Sequence, residues 1–243
     1  MALPALHTIG ILGGMSSAAT GEYYRMINQQ VRDSLGGYHI ADLLIASVNF
    51  GNIEHYVRSG SWEEAGQYLA NKARRLEAGG AEAIFMATNT MHRVREAIKN
   101  AISIPFVDIF EVCGAEIKRQ GKHKVGILGT YPVMTDPFYQ EAFRSQGIEL
   151  VSPDEATRRE IDRILFEEMT HFQFLPASKA YFLETINHLV ENGAEGIILG
   201  CTELKMVISK EDTPGIPLFD TTILHCDLAA RMCMGQVPIP IFK

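Results

Sequence analysis

Apolar residues along this chain come in short unbroken runs, and the runs alternate with stretches of helical period. HTIGILGG (7–14) reads as a short buried strand ending in glycines. ATGEYYRMINQQVRDSL (19–35) carries the 3.6 period of a helix. ADLLIASVNF (41–50) reads as a strand. SWEEAGQYLANKARRLEAGG (61–80) predicts a helix capped by Ser61, with glutamates in its first turn and glycines at its end. AEAIFMAT (81–88) reads as a strand, TMHRVREAIKNAI (90–102) as a helix and IPFVDI (104–109) as a strand. Strands alternating with helices argue for a parallel α/β sheet.

The same order then recurs. KVGILGT (124–130) echoes TIGILGG, FYQEAFRSQG (138–147) supplies a helix and IELVS (148–152) a strand. Helical stretches at 156–170 and 177–192 follow. AEGIILGCTEL echoes AEAIFMATNTM, and IPLFDT (216–221) echoes IPFVDI. The register is nearly constant: Leu12 to Thr88 spans 76 positions and Leu128 to Cys201 spans 73. Three matched blocks in one order point to an internal duplication of one α/β unit, with a period far longer than that of a solenoid. The expected division is a first lobe of 1–108 plus about 221–243, and a second of 109–220. An open parallel sheet binds ligand at the carboxyl ends of its strands. Thr88 and Cys201 sit at those ends, and a pseudo-twofold relation would make them meet across a cleft between the lobes.

Composition narrows the classes. The chain has 243 residues, is 47% hydrophobic and carries a net charge of −7 with 21% charged residues. A mildly acidic chain without a Lys/Arg cluster argues against nucleic acid and acidic membranes as partners. No apolar run approaches the roughly 18 residues of a membrane span. MALPALHTIGILGG lacks the basic region of a signal peptide, so a cytoplasmic protein is expected. Four cysteines, none in a C-x-x-C pair, suggest reduced thiols and neither a disulfide framework nor a zinc site.

Cys201 is the strongest candidate for chemistry. A thiol at a helix N-terminus has its thiolate favoured by backbone N–H groups and the helix dipole. A free cysteine is more usually a small buried hydrophobe, and Cys113, Cys226 and Cys233 read that way. Asn89, Thr90, Thr202 and Glu203 follow the two central residues. They suit helix capping or, from their paired placement, an anionic small molecule held at helix N-termini. Gly13-Gly14-Met15-Ser16-Ser17 lets backbone approach a ligand, but its spacing is no dinucleotide fingerprint. Met15, Ser16, Thr130 at the matching second-lobe position, and Asn49 after the second strand complete the candidate ligand set. His92 and His225 read as structural. No His/Cys/Asp/Glu motif suggests a metal.

Taken together, IGILGGM, NTMH, GCTEL and DTT-x-x-H resemble the aspartate/glutamate racemase family, over nearly the whole chain from Thr8 to about Met234. The resemblance is nearest to the branch specific for L-Asp/Glu, which also has threonine in its first motif. It implies two Rossmann-like lobes, no cofactor, an amino-acid substrate and commonly a homodimer. It further implies two thiols, one removing the α-proton and the other returning a proton to the opposite face. By position these two are Cys201 and Thr88. Glu203 stands where some branches have histidine. The substrate carboxylates are expected on backbone and hydroxyl groups of both motifs, and Arg58 is the candidate for a family arginine.

Thr88 departs from the two-thiol pattern. A thiol has a reference pKa of about 8.5 and an aliphatic hydroxyl lies closer to water, about 15.7. The gap of roughly 7 units is about 10 kcal/mol, which a helix terminus at up to about 2 kcal/mol does not close. Cys201 is therefore the expected base and Thr88 at most a donor; since the second-lobe cysteine of the family deprotonates the L-enantiomer, the resemblance then implies chemistry on L-amino acids. A maleate, malonate or hydantoin reaction of the superfamily, a non-catalytic amino-acid-binding protein and, most weakly, a nucleotide-binding module are the other readings.

Overall fold

The protein is described here by a computed structural model covering residues 4–171 and 173–239. Residues 1–3 and 240–243, which the expected first lobe includes, lie outside the described residues. The chain forms two compact units: one runs to Ile109 and takes up again at His225, the other spans Phe110–Leu224.

The first unit opens with β1 (Ile9–Gly13) and α1 (Ser17–Leu35). β2 (Leu43–Ser47), α2 (Phe50–Ser59), α3 (Trp62–Ala78) and β3 (Ala83–Met86) follow. A 3-10 turn (Thr90–Val94), α4 (Arg95–Lys99) and β4 (Phe106–Val107) complete that run. The strands form one parallel sheet in the order β2-β1-β3-β4. β1 is buried at all five positions, as a parallel strand covered on both faces must be. Leu12, Leu69, Ile84, Met86 and Ile98 pack on one side, while Ile9, Ile11, Tyr23, Ile27 and Phe85 join a second cluster with Cys226, Ala229 and Cys233.

The second unit takes α5 (Ile109–Arg119) from Phe110 on and continues through β5 (Lys124–Leu128), α6 (Tyr131–Thr135), α7 (Pro137–Arg144) and β6 (Glu149–Val151). Then come α8 (Glu155–Arg163), α9 (Pro176–Glu191), β7 (Ile197–Leu199), β8 (Leu218–Asp220) and α10 (Thr221–Cys233), which carries the chain back into the first unit. Its sheet, β6-β5-β7-β8, is again parallel and repeats the order of the first. The doubled α/β unit read from the sequence is thus present as two four-stranded parallel sheets of one topology.

Several local expectations are corrected. The strand expected over 41–50 stops at Ser47, because Asn49 accepts the Gly51 N–H at 3.0 Å and starts α2. Ser61 makes no side-chain cap, since its hydroxyl is taken by Ser59 at 2.8 Å. The helix expected over 156–170 is α only to Arg163, then a π turn (Ile164–Glu168) and a 3-10 turn (Met169–His171). The helix expected over 90–102 begins as a 3-10 turn for a reason that bears on the site. An α-helix would give the Thr88 carbonyl to the His92 backbone N–H. Here the His92 ring takes that carbonyl at 2.7 Å, and the His92 N–H turns to Asn89 O at 3.1 Å.

Candidate active site

Apart from Arg58, the candidate residues follow the carboxyl ends of strands. In the first unit Met15 and Ser16 follow β1, Asn49 follows β2, and Thr88, Asn89 and Thr90 follow β3. The pairings Gly13↔Ser47 and Leu12↔Met86 set these three loops side by side along one sheet edge.

The first loop is built on Gly14. Its φ is +88°, and a Cβ there would lie 2.3 Å from Val48 O, so only glycine lets the loops after β1 and β2 approach. Ser16 caps α1 by accepting the Ala19 N–H at 3.2 Å. Thr20, which the sequence pattern did not single out, clasps the loop: its hydroxyl accepts from Gly14 N and donates to Ser16 O, both at 2.7 Å. Its place four residues past Ser16 is the signal that could have found it. Met15 is buried, and Asn49 is already committed to its cap.

At the end of β3 the sheet bond Ala87 N to Leu12 O is kept, and Thr88 N then returns to Met86 O at 2.9 Å. That tight turn takes the chain out of the strand before Thr88, which stays partly exposed while Asn89 is buried. Thr90 is partly exposed at the start of the 3-10 turn.

In the second unit Thr130 follows β5 and Cys201 follows β7. Gly200 lets the β7 end run close to β5: its N–H reaches Leu128 O at 2.7 Å, and a Cβ would press Leu128 O and Val133 at 3.0 Å. Thr130 begins α6 without a side-chain cap, and its oxygen is sealed from solvent with no hydrogen-bond partner among the described residues. Cys201 is partly buried, and its thiol donates to Glu203 Oε2 at 3.0 Å. Thr202 donates its hydroxyl to the same oxygen at 2.6 Å.

This corrects the expected electrostatics of Cys201. The segment after it is a three-residue 3-10 turn, Leu204–Met206, which has no helix macrodipole to offer. Burial, then the Glu203 charge, then the hydrogen bond to Glu203 hold the thiol well above its ordinary range, against a smaller opposing pull from backbone N–H groups of Glu203 and Thr202. The resting group is a neutral thiol. Arg58, the candidate arginine, is exposed on α2 and pairs with Glu54 at 2.6 Å.

His92 and His225 are buried and neutral. Burial pushes their pKa values down to about 4 and about 3. His225 donates from Nε2 to Val107 O at 3.0 Å and accepts the Tyr23 hydroxyl at 2.8 Å.

A family model described as Asp/Glu/Hydantoin racemase matches residues 12–229. This chain belongs to the Asp/Glu/Hydantoin racemase family. As a member it is an amino-acid racemase, an isomerase by class. A Yersinia pestis crystal structure provisionally named an Asp/Glu racemase is 38% identical, spans 94% of this chain and 100% of its own, and superposes with a TM-score of 0.90. A crystal structure of an aspartate racemase homologue from Pyrococcus horikoshii is 32% identical over 94% of this chain and 99% of its own, with a TM-score of 0.84. The broad specificity amino-acid racemase RacX of Bacillus subtilis is 25% identical over 217 residues, 88% of this chain and 92% of its own. Among the described residues of this racemase no helix is long and apolar enough to cross a membrane.

Proposed function

We propose that this racemase acts on small acidic L-amino acids, L-aspartate and L-glutamate, without a cofactor. Cys201 removes the α-proton and Thr88 returns one to the opposite face. The observation that supports the roles is the Cys201–Glu203 pair: the one candidate thiol is hydrogen-bonded to a carboxylate two residues on.

The neutral thiol must first lose its proton, and the Glu203 carboxylate is the acceptor that already holds it. A substrate ammonium group beside Glu203 would offset the charge that now raises the thiol. The α-proton then passes to Cys201 Sγ, and its electron pair stays on Cα, delocalised into the carboxylate. Thr88 gives its hydroxyl proton to the other face of that carbanion and is reprotonated from solvent, while Glu203 releases to solvent the proton it took from Cys201. Donation is the easy direction, because an alkoxide is a weaker base than the carbanion. Abstraction by Thr88 would start from the roughly 7-unit deficit against a thiol. Met15, Ser16, Asn49, Asn89, Thr90, Thr130 and Thr202 are proposed to surround the substrate with backbone and hydroxyl groups. Thr130 would have to turn its sealed hydroxyl outward. A cytoplasmic homodimer is the proposed setting, with two lobes of 1–108 plus about 221–243 and of 109–220.

The test is deuterium uptake at Cα of L- and D-Asp and L- and D-Glu in D₂O. Uptake should be faster from the L forms and should vanish in Cys201→Ala. Faster uptake from the D forms overturns the facial assignment, and uptake that survives Cys201→Ala removes Cys201 from the chemistry. Thr88 also favours a second reading, a one-thiol proton transfer on a malonate, maleate or hydantoin. Exchange on those compounds and none on amino acids would decide for it.

A further inference from the structure

We propose that His92 is a positioning residue for the return of the second proton, holding the Thr88 backbone to the start of α5; the inference rests on the reading that Thr88 is the donor. The geometry allows one arrangement of protons on the ring. The Thr88 carbonyl can only accept, so His92 Nδ1, 2.7 Å away, carries the hydrogen. The Ile109 backbone N–H can only donate, so Nε2, 3.2 Å away, is the bare nitrogen. The neutral ring is therefore a strut with a donor at one end and an acceptor at the other.

The strut acts where the chain would otherwise be regular. By taking the carbonyl that an α-helix would give to its own backbone, the His92 ring keeps residues 90–94 in a 3-10 turn and leaves Thr88 outside any helix. The Thr88 side chain leaves a Cα held by two bonds, its N–H to Met86 O at 2.9 Å and its C=O to His92. The ring is fully buried against Phe106 and closed off from solvent, so its route to the chemistry runs through Thr88. The matching position of the repeat holds no histidine. The position four residues after Cys201 is Lys205, and the Cys201 carbonyl instead accepts the Leu204 N–H at 3.2 Å. A weak donor needs its oxygen placed well, because misplacement by about 1 Å can cost about 100-fold in rate.

Two substitutions separate the ends of the strut. In His92→Asn the side-chain amide can still donate to Thr88 O, but the acceptor for Ile109 is lost. In His92→Gln the amide oxygen can still accept from Ile109, but the donor to Thr88 is lost. With L-aspartate in D₂O as the probe, two rates are read together: deuterium uptake with retention, which needs the Cys201 face alone, and formation of the D enantiomer, which needs both faces. His92→Gln should lower inversion relative to retention by about tenfold or more, with KM little changed. His92→Asn should keep the wild-type ratio. A parallel fall of both rates in both variants, or an unchanged ratio in His92→Gln, overturns the inference. Thr88→Ala is the reference. If it changes the ratio and His92→Gln does not, the strut alone fails. If Thr88→Ala leaves the ratio unchanged, the donor reading fails and the inference with it. Nitrogen-15 NMR of the wild-type His92 ring needs no variant to fold. It should show protonated Nδ1 and bare Nε2 from about pH 8 to about pH 5, and the opposite tautomer or a charged ring overturns the proposal.

Discussion

The Cys201 thiol gives its hydrogen to Glu203 Oε2 across 3.0 Å, and the same oxygen takes the Thr202 hydroxyl. The carboxylate therefore works against the thiolate at rest. Glu203→Gln removes the charge while keeping an acceptor, so the Cys201 pKa should fall. Alkylation of the free protein by iodoacetamide near neutral pH should speed up by roughly threefold for each unit of that fall, the gain in thiolate being partly offset by its lower nucleophilicity, with Cys201→Ala giving the background. Cys113 and Cys226 are fully buried and should contribute little. An unchanged rate would show that the thiol does not feel the carboxylate.

Thr88→Cys restores an acid/base group of thiol acidity at the first motif. Deuterium uptake from D-aspartate should rise by at least about tenfold, since the hydroxyl-to-thiol gap of roughly 7 units is removed. Uptake from L-aspartate should change much less. No gain from the D form would mean that Thr88 and Cys201 are not equivalent positions.

His92 and His225 set a limit on acid stability. Their folded pKa values, about 4 and about 3, lie below the ordinary value near 6.5. Asp108 faces both rings and raises them, Arg95 and Lys99 lower His92, and His92 lowers His225, but burial outweighs the rest. The unfolded chain binds these two protons at a higher pH than the folded one. Stability is thus full above about pH 6.5 and should fall as pH drops toward about 4, with a loss on the order of a few kcal/mol per histidine. Urea midpoints measured from pH 7 to pH 4 should fall through that window. His225→Phe should flatten the dependence, and an unchanged slope would show that the ring is not held neutral.

Gly14 should tolerate no side chain. Gly14→Ala places a Cβ at φ +88° and 2.3 Å from Val48 O. A loss of about 2 kcal/mol or more is expected, lowering Tm by roughly 4–8 °C. Gly21, on an exposed face of α1 with nothing within 4 Å of an added Cβ, is the control. Gly21→Ala should raise stability by about 0.5–1 kcal/mol. Equal effects at the two glycines would contradict the close approach at Gly14.

The sequence by itself determined the α/β class, the duplication and the strand ends that carry the candidate residues. These follow from unbroken apolar runs that only a sheet covered on both faces buries, and from blocks such as IGILG and VGILG in matching order. It also carried the family, because the motifs are contiguous. Only the tertiary structure decided what each group does locally. Cys201 looked poised as a thiolate from its position before an apparent helix, but backbone bonding makes that helix a single turn, and Glu203 folds back onto the sulfur. His92 looked like one more helical histidine. Its partners, Thr88 O four residues back and Ile109 N seventeen residues on, belong to different strand ends. Periodicity reports which face of an element is buried. It does not report which hydrogen bonds a side chain wins from the backbone, because those depend on atoms that only folding brings together.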